Sequence, residues 1–142
     1  WFSQLAGIRT FQTLIIQSHS IKDSHVVAAC SQNPLVKLEM FGAWELTRDV
    51  INGMISTQSA ATLRELWITY CEPQNLDDVE SYMEDRGIRA VDMLQLVRAC
   101  PRLSKLFWQR AYTNDAWSAR EILEEITEIL EDRGGKFHNN FG

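Results

Sequence analysis

Four stretches of the chain repeat one spacing of apolar positions: Phe11/Leu14/Ile16, Leu35/Leu38/Met40, Leu63/Leu66/Ile68 and Leu103/Leu106/Trp108, beginning 24, 28 and 40 residues apart. In each, the last two apolar residues stand two apart, the period of a strand with one face buried, while the first anchors the turn that enters the strand. A strand this short cannot bury its apolar face alone. The pattern therefore predicts an α/β fold in which short strands near 13–17, 37–41, 65–69 and 105–109 stack side by side as a parallel sheet. Parallel neighbours need a crossover of about a dozen residues, and these spacings supply it.

The crossovers read as helices. Asp23 or Ser24 is placed to cap a helix through His25–Cys30 that stops before Asn33-Pro34, and Thr47 or Asp49 to cap one carrying Val50, Ile51, Met54 and Ile55. Val91, Met93, Leu94, Leu96 and Val97 mark a third, ended by Pro101. Ser118 with Glu121 fits a capping box for a helix over about 117–132, with Ile122, Ile126, Ile129 and Leu130 on one stripe and Gly134 at its end. Ile88/Val91/Met93 also fits the strand spacing. A repeat starting there leaves 15 residues before Leu103, fewer than the roughly 20 that a repeat requires, so the helix is preferred.

At 142 residues the chain suits a single domain of about four repeats over 1–142. Trp1 and the ending Asn140-Phe141-Gly142 suggest a fragment of a longer protein, whose exposed apolar end at the N-terminal repeat predicts marginal stability or self-association. Net charge is −5, and the fourteen Lys and Arg are scattered, which argues against nucleic acid as partner. No apolar run approaches the roughly 18 residues of a membrane span, and the first residues do not resemble a secretory signal. Cys30, Cys71 and Cys100 lack CxxC spacing and read as reduced, buried thiols. Cytoplasmic or nuclear residence, without membrane contact, is the expectation. The stretch 72–89 holds six acidic residues, Glu72, Asp77, Asp78, Glu80, Glu84 and Asp85, against Arg86 and Arg89. It reads as an inserted surface loop, partly packed back through Tyr82 and Met83, and alternatively as a guide for a basic partner.

The segments Ala29-Cys30-Ser31-Gln32-Asn33-Pro34-Leu35 and Ala99-Cys100-Pro101-Arg102-Leu103-Ser104-Lys105-Leu106 resemble the Cys-Pro-x-Leu-x-x-Leu junction of cysteine-containing leucine-rich repeats, and Thr62-Leu63-Arg64-Glu65-Leu66-Trp67-Ile68-Thr69-Tyr70-Cys71 resembles their strand and turn. The resemblance implies a solenoid arc with strands on the concave face and helices on the convex one. It extends in style to fungal F-box proteins, whose repeats select a ubiquitination target while an F-box docks on the adaptor of a cullin-based ligase. No F-box is present in these residues. The chain departs from the pattern after each strand, where His19, Ala43 and Ala111 stand at the position that Cys71 fills.

Alternation then assigns a binding face. Thr13, Ile15 and Gln17; Lys37, Glu39 and Phe41; Glu65, Trp67 and Thr69; and Lys105, Phe107 and Gln109 point away from the core. Large aromatics on an outward face are the informative feature. Trp67 and Phe107, with Phe41 one row away and Ile15, Lys37, Glu39, Glu65 and Lys105 around them, form a candidate protein-binding hot spot. The competing reading is that neighbouring side chains, or a segment of the full protein outside this sequence, cover these rings.

The sequence offers little chemistry. Asp23-Ser24-His25 are adjacent and cannot converge as base, nucleophile and orienter, the cysteines and His19 form no local ligand pair, and Gly134-Gly135 is a helix end without the Lys-Ser/Thr of a phosphate loop. The helix over about 117–132, acidic on its polar side, packs on its own repeat or docks in a partner's groove, and is a poor membrane binder. No catalytic, cofactor or metal site is expected. The expected function is protein recognition, with the substrate-binding repeats of an F-box receptor as its specific form. The alternatives are a signalling scaffold, for example of GTPase-activating type, and a hydrolase using Ser24 or a cysteine.

Overall fold

The computed structural model describes residues 12–17, 21–42, 46–69, 87–109 and 116–139. Side chains 116–119 are not among them, and Phe11, His19, Ala43, Cys71, Ala111 and the acidic stretch up to Arg86 fall outside. The chain forms β1 (Thr13–Gln17), α1 (Asp23–Gln32), β2 (Lys37–Phe41), α2 (Arg48–Ile55), a 3-10 turn (Gln58–Ala61), β3 (Glu65–Thr69), α3 (Ala90–Ala99), β4 (Lys105–Gln109), α4 (Ala116–Asp132) and β5 (Lys136–Asn139). It is an α/β fold with one five-stranded parallel sheet in sequence order.

Register follows from which side chains leave water. Leu14, Leu38, Leu66, Leu106 and Phe137 lie opposite one another in one row, and Ile16, Met40, Ile68, Trp108 and Asn139 in the next. A slip of one residue at any strand would turn its apolar side chains outward. The apolar members of both rows are buried except Phe137, which packs against the core at the sheet's end. Leu35, Leu63 and Leu103, which enter the strands, are 0 or 1 % exposed. Helices α1 to α4 contact one another in sequence order, and their buried Val26, Val50, Ile51, Met93, Leu96, Ile126 and Leu130 share the core with the strands.

The ends of α1 and α3 are tied to the repeat that follows through polar groups that would otherwise be stranded there. The Ser59 hydroxyl accepts the Leu35 N–H at 3.0 Å and lies 2.9 and 2.6 Å from the carbonyls of Cys30 and Asn33, so it closes the end of α1 from within the following repeat. Arg133 serves α3 in the same way. Its Nη1 donates to the carbonyls of Val97, Cys100 and Leu103 at 3.1, 3.0 and 2.8 Å.

Two helix starts differ from what the sequence suggests. Helix α1 begins one residue earlier, with Lys22 as its cap. Asp23 instead reaches across to the next repeat, accepting the Thr47 N–H at 2.8 Å and the Thr47 hydroxyl. Thr47 caps α2 by accepting the Asp49 N–H. Ser118 is not the cap of α4, because the helix already runs from Ala116. At the other end Gly134, at φ +80°, donates to Glu131 and Gly135 to Leu130, the paired bonds that close a helix through a left-handed residue. The chain then enters β5, a strand the apolar spacing did not indicate. Over 90–99 the chain is helical, and Ile88 is buried just before it.

Candidate functional site

The helices cover one face of the sheet, and the strands present the other. Along β1 exposure alternates fully, and along β2 and β3 the outward residues are half-buried. All eight residues expected at the binding face lie on it: Ile15, Lys37, Glu39, Phe41, Glu65, Trp67, Lys105 and Phe107. They form rows across the strands. The first is Thr13, Lys37, Glu65, Lys105 and Lys136, the second Ile15, Glu39, Trp67, Phe107 and His138, and the third Gln17, Phe41, Thr69 and Gln109.

The centre of the face is aromatic. Trp67 and Phe107 stack with centroids 4.5 Å apart and planes 17° from parallel, and Phe107 meets His138 at 5.7 Å with a 38° tilt. Neighbouring strands lie about 4.8 Å apart, so the first two rings stand side by side, each on its own strand. Their faces turn towards each other. Such a pair contributes about 0.5–1.5 kcal/mol beyond the area it buries, and both residues remain half-buried rather than closed off. Neighbours therefore cover the ring faces in part, as the competing reading holds. Phe41 belongs to the third row, opposite Thr69, and is not a member of this stack. Ile15, 53 % exposed, is the most open large apolar side chain on the face.

Charge is arranged unevenly around the rings. Lys37 bridges Glu39 at 3.1 Å and Glu65 at 3.3 Å, with its ammonium 6.0 Å from the Trp67 ring centre. The hydrogen bonds to the two carboxylates push the Lys37 pKa up. Across β4 and β5, Lys105 stands directly opposite Lys136, and neither has an ion-pair partner among the described residues. Sequence reasoning missed Lys136 and His138 because the spacing that reveals the other strands is absent before β5. The polar–apolar–polar order of Lys136-Phe137-His138 after two glycines was the available signal.

The residues considered for chemistry are dispersed. Asp23 is held by Thr47, and His25 Nδ1 accepts the Lys22 N–H at 3.3 Å within the first turn of α1. No group of three or more potential metal ligands occurs among the described residues, and no helix among them is long and apolar enough to cross a membrane. Burial pushes the Cys30 thiol up to about 12, with the Ser59 hydrogen bond opposing, and the Cys100 thiol up to about 11, opposed by the charge of Arg133. The thiolate is the reactive form. At pH 8 both cysteines should therefore resist alkylation in the folded protein and react on unfolding. Peptide mass mapping after brief iodoacetamide treatment checks this, and rapid labelling of either in the native state would contradict their burial. Because both folded values lie above the ordinary 9.0, the stability linked to the neutral thiols is complete below pH 9 and is lost progressively as pH rises towards 11 and 12.

A scan of protein families finds none that matches this chain, and a search of curated proteins finds no match either.

Proposed function

We propose that the chain is an arc of a leucine-rich repeat solenoid that recognises another protein on the concave face of its sheet, as the target-binding region of an F-box type ubiquitin ligase receptor. One observation carries the recognition reading. A parallel sheet is ordinarily covered on both faces, and here an entire face, with a stacked Trp67–Phe107 pair at its centre, has no helix over it among the described residues. Strands narrower than the helices behind them curve such a stack towards its strand side, which concentrates the three rows on a concave surface. The link to a ligase follows from the Cys-Pro-x-Leu-x-x-Leu style of the repeat junctions, and predicts an adaptor-binding F-box in the complete reading frame.

A photo-crosslinking residue placed at Phe107 should capture one protein in cells, and the same residue at Gln95, exposed on α3, should not. With that protein purified, Trp67→Ala should weaken binding by about thirtyfold, the loss typical of a central tryptophan, while the melting curve stays cooperative. Equal capture from both positions, or full affinity in a folded Trp67→Ala variant, would remove the face from consideration.

A further inference from the structure

We propose that the C-terminal half of the open face takes an acidic segment of the protein partner, its carboxylates held between Lys105 and Lys136 and against the ring edges of Phe107 and His138. This rests on the reading of that face as a recognition surface and adds the chemistry of what it recognises.

Charge divides the face into two unlike halves. The described part of the face carries Lys37, Glu39, Glu65, Lys105 and Lys136. Lys37 is occupied by both glutamates, so the half formed by β1–β3 is internally compensated and slightly negative. The half formed by β4 and β5 holds two exposed ammonium groups on adjacent strands; Glu65 stands opposite Lys105 on β3 but is ion-paired with Lys37, and neither Lys105 nor Lys136 has an ion pair among the described residues. Like charges directly opposite each other in a sheet are unfavourable, and this pair occurs in a chain whose net charge is −5. An anionic partner removes that repulsion on binding.

The rings point to the same ligand. With Trp67 and Phe107 stacked on each other, it is ring edges rather than faces that turn outward. Aromatic edges carry the positive part of the quadrupole, which suits carboxylate oxygens. A single-stranded nucleic acid, the other anion that combines lysines with aromatics, needs open ring faces for its bases to stack upon. Two successive outward positions on a strand are about 6.6 Å apart, so Lys105, Phe107, Lys136 and His138 mark out a patch that a short extended segment with two carboxylates spans.

Fluorescence anisotropy on the whole chain tests this with three labelled probes: a peptide alternating Glu and Tyr, the same peptide with Gln for Glu, and oligouridylate. The Glu peptide should bind about tenfold tighter than the Gln peptide and weaken as salt is raised. The double variant Lys105→Gln/Lys136→Gln should lose that tenfold advantage while melting at the same or a higher temperature, since a repulsion is removed. That opposite sign separates a binding role from a structural one. Equal binding of the two peptides, retention of the advantage in the double variant, preference for oligouridylate, or no binding by any probe would each overturn the inference. Capture of a partner from position 107 but not from position 95 would leave the recognition reading standing in any of those cases.

Discussion

Replacing Trp108 by alanine should lower the stability of the chain by about 3–5 kcal/mol, the range for removing a large aromatic from a packed core. Trp108 is 0 % exposed and lies in the second interior row, next to Ile68 on β3 and Asn139 on β5. Its removal leaves a cavity that the neighbouring strands cannot collapse into without breaking register. A domain of this size is stable by about 5–15 kcal/mol, so the loss is a large share of the total. Trp108→Phe, which keeps a ring, should cost clearly less, and Leu14→Ala, in the terminal strand at 7 % exposure, should also fall below it. Urea titration followed by circular dichroism measures all three. A Trp108→Ala midpoint indistinguishable from the parent's would mean that the interior is not packed as described.

The second large effect is expected at Gly135. The Lys136 N–H donates to the Ser104 carbonyl at 2.8 Å, and a Cβ built on Gly135 would meet that same oxygen at 1.7 Å. The hydrogen bond that starts β5 thus depends on the absence of a side chain one residue earlier. At the equivalent points of the other strands, the carbonyls of Gln12, Val36 and Arg64 accept the entering N–H groups of Lys37, Glu65 and Lys105, and Val36, Arg64 and Ser104 stand where Gly135 does. Those strands are reached by longer connections. Only three residues separate α4 from β5, so the chain passes directly over its neighbour. Gly135→Ala should therefore cost at least the upper end of the about 1–3 kcal/mol typical of overpacking. Its mark should be local, with faster amide exchange at Lys136–Asn139 and slow exchange retained in β2 and β3. Gly134→Ala strains a left-handed residue at φ +80° but meets nothing within 4 Å, and should cost less, about 1–2 kcal/mol. If the Gly135 variant exchanges like the parent, the close approach of β5 is not what holds that strand.

Much of this architecture is legible from spacing. A period of two within each segment separates Trp67, outward, from Trp108, inward, although composition alone cannot tell them apart. The same spacing picks out the residues of β1 to β4, because an apolar side chain has a large and unambiguous preference for the covered side. Helices were legible from Pro101 and from apolar positions three and four apart. Their caps were less so. Asp23 has the chemistry of a cap, but its carboxylate finds a better pair of donors in Thr47 of the next repeat, a competition that local sequence does not contain.

Which side chains face the core is settled locally, by each strand's own alternation of apolar and polar positions. The tertiary structure alone decided which residues become neighbours on the open face: that Lys37 is spent on two glutamates while Lys105 meets Lys136, that Trp67 stacks on Phe107, and that a fifth strand brings His138 alongside. Apart from Lys37–Glu39 on a single strand, those pairings join residues 28 to 40 positions apart in the chain, and they exist only because packing the apolar rows fixes the register of every strand against the next.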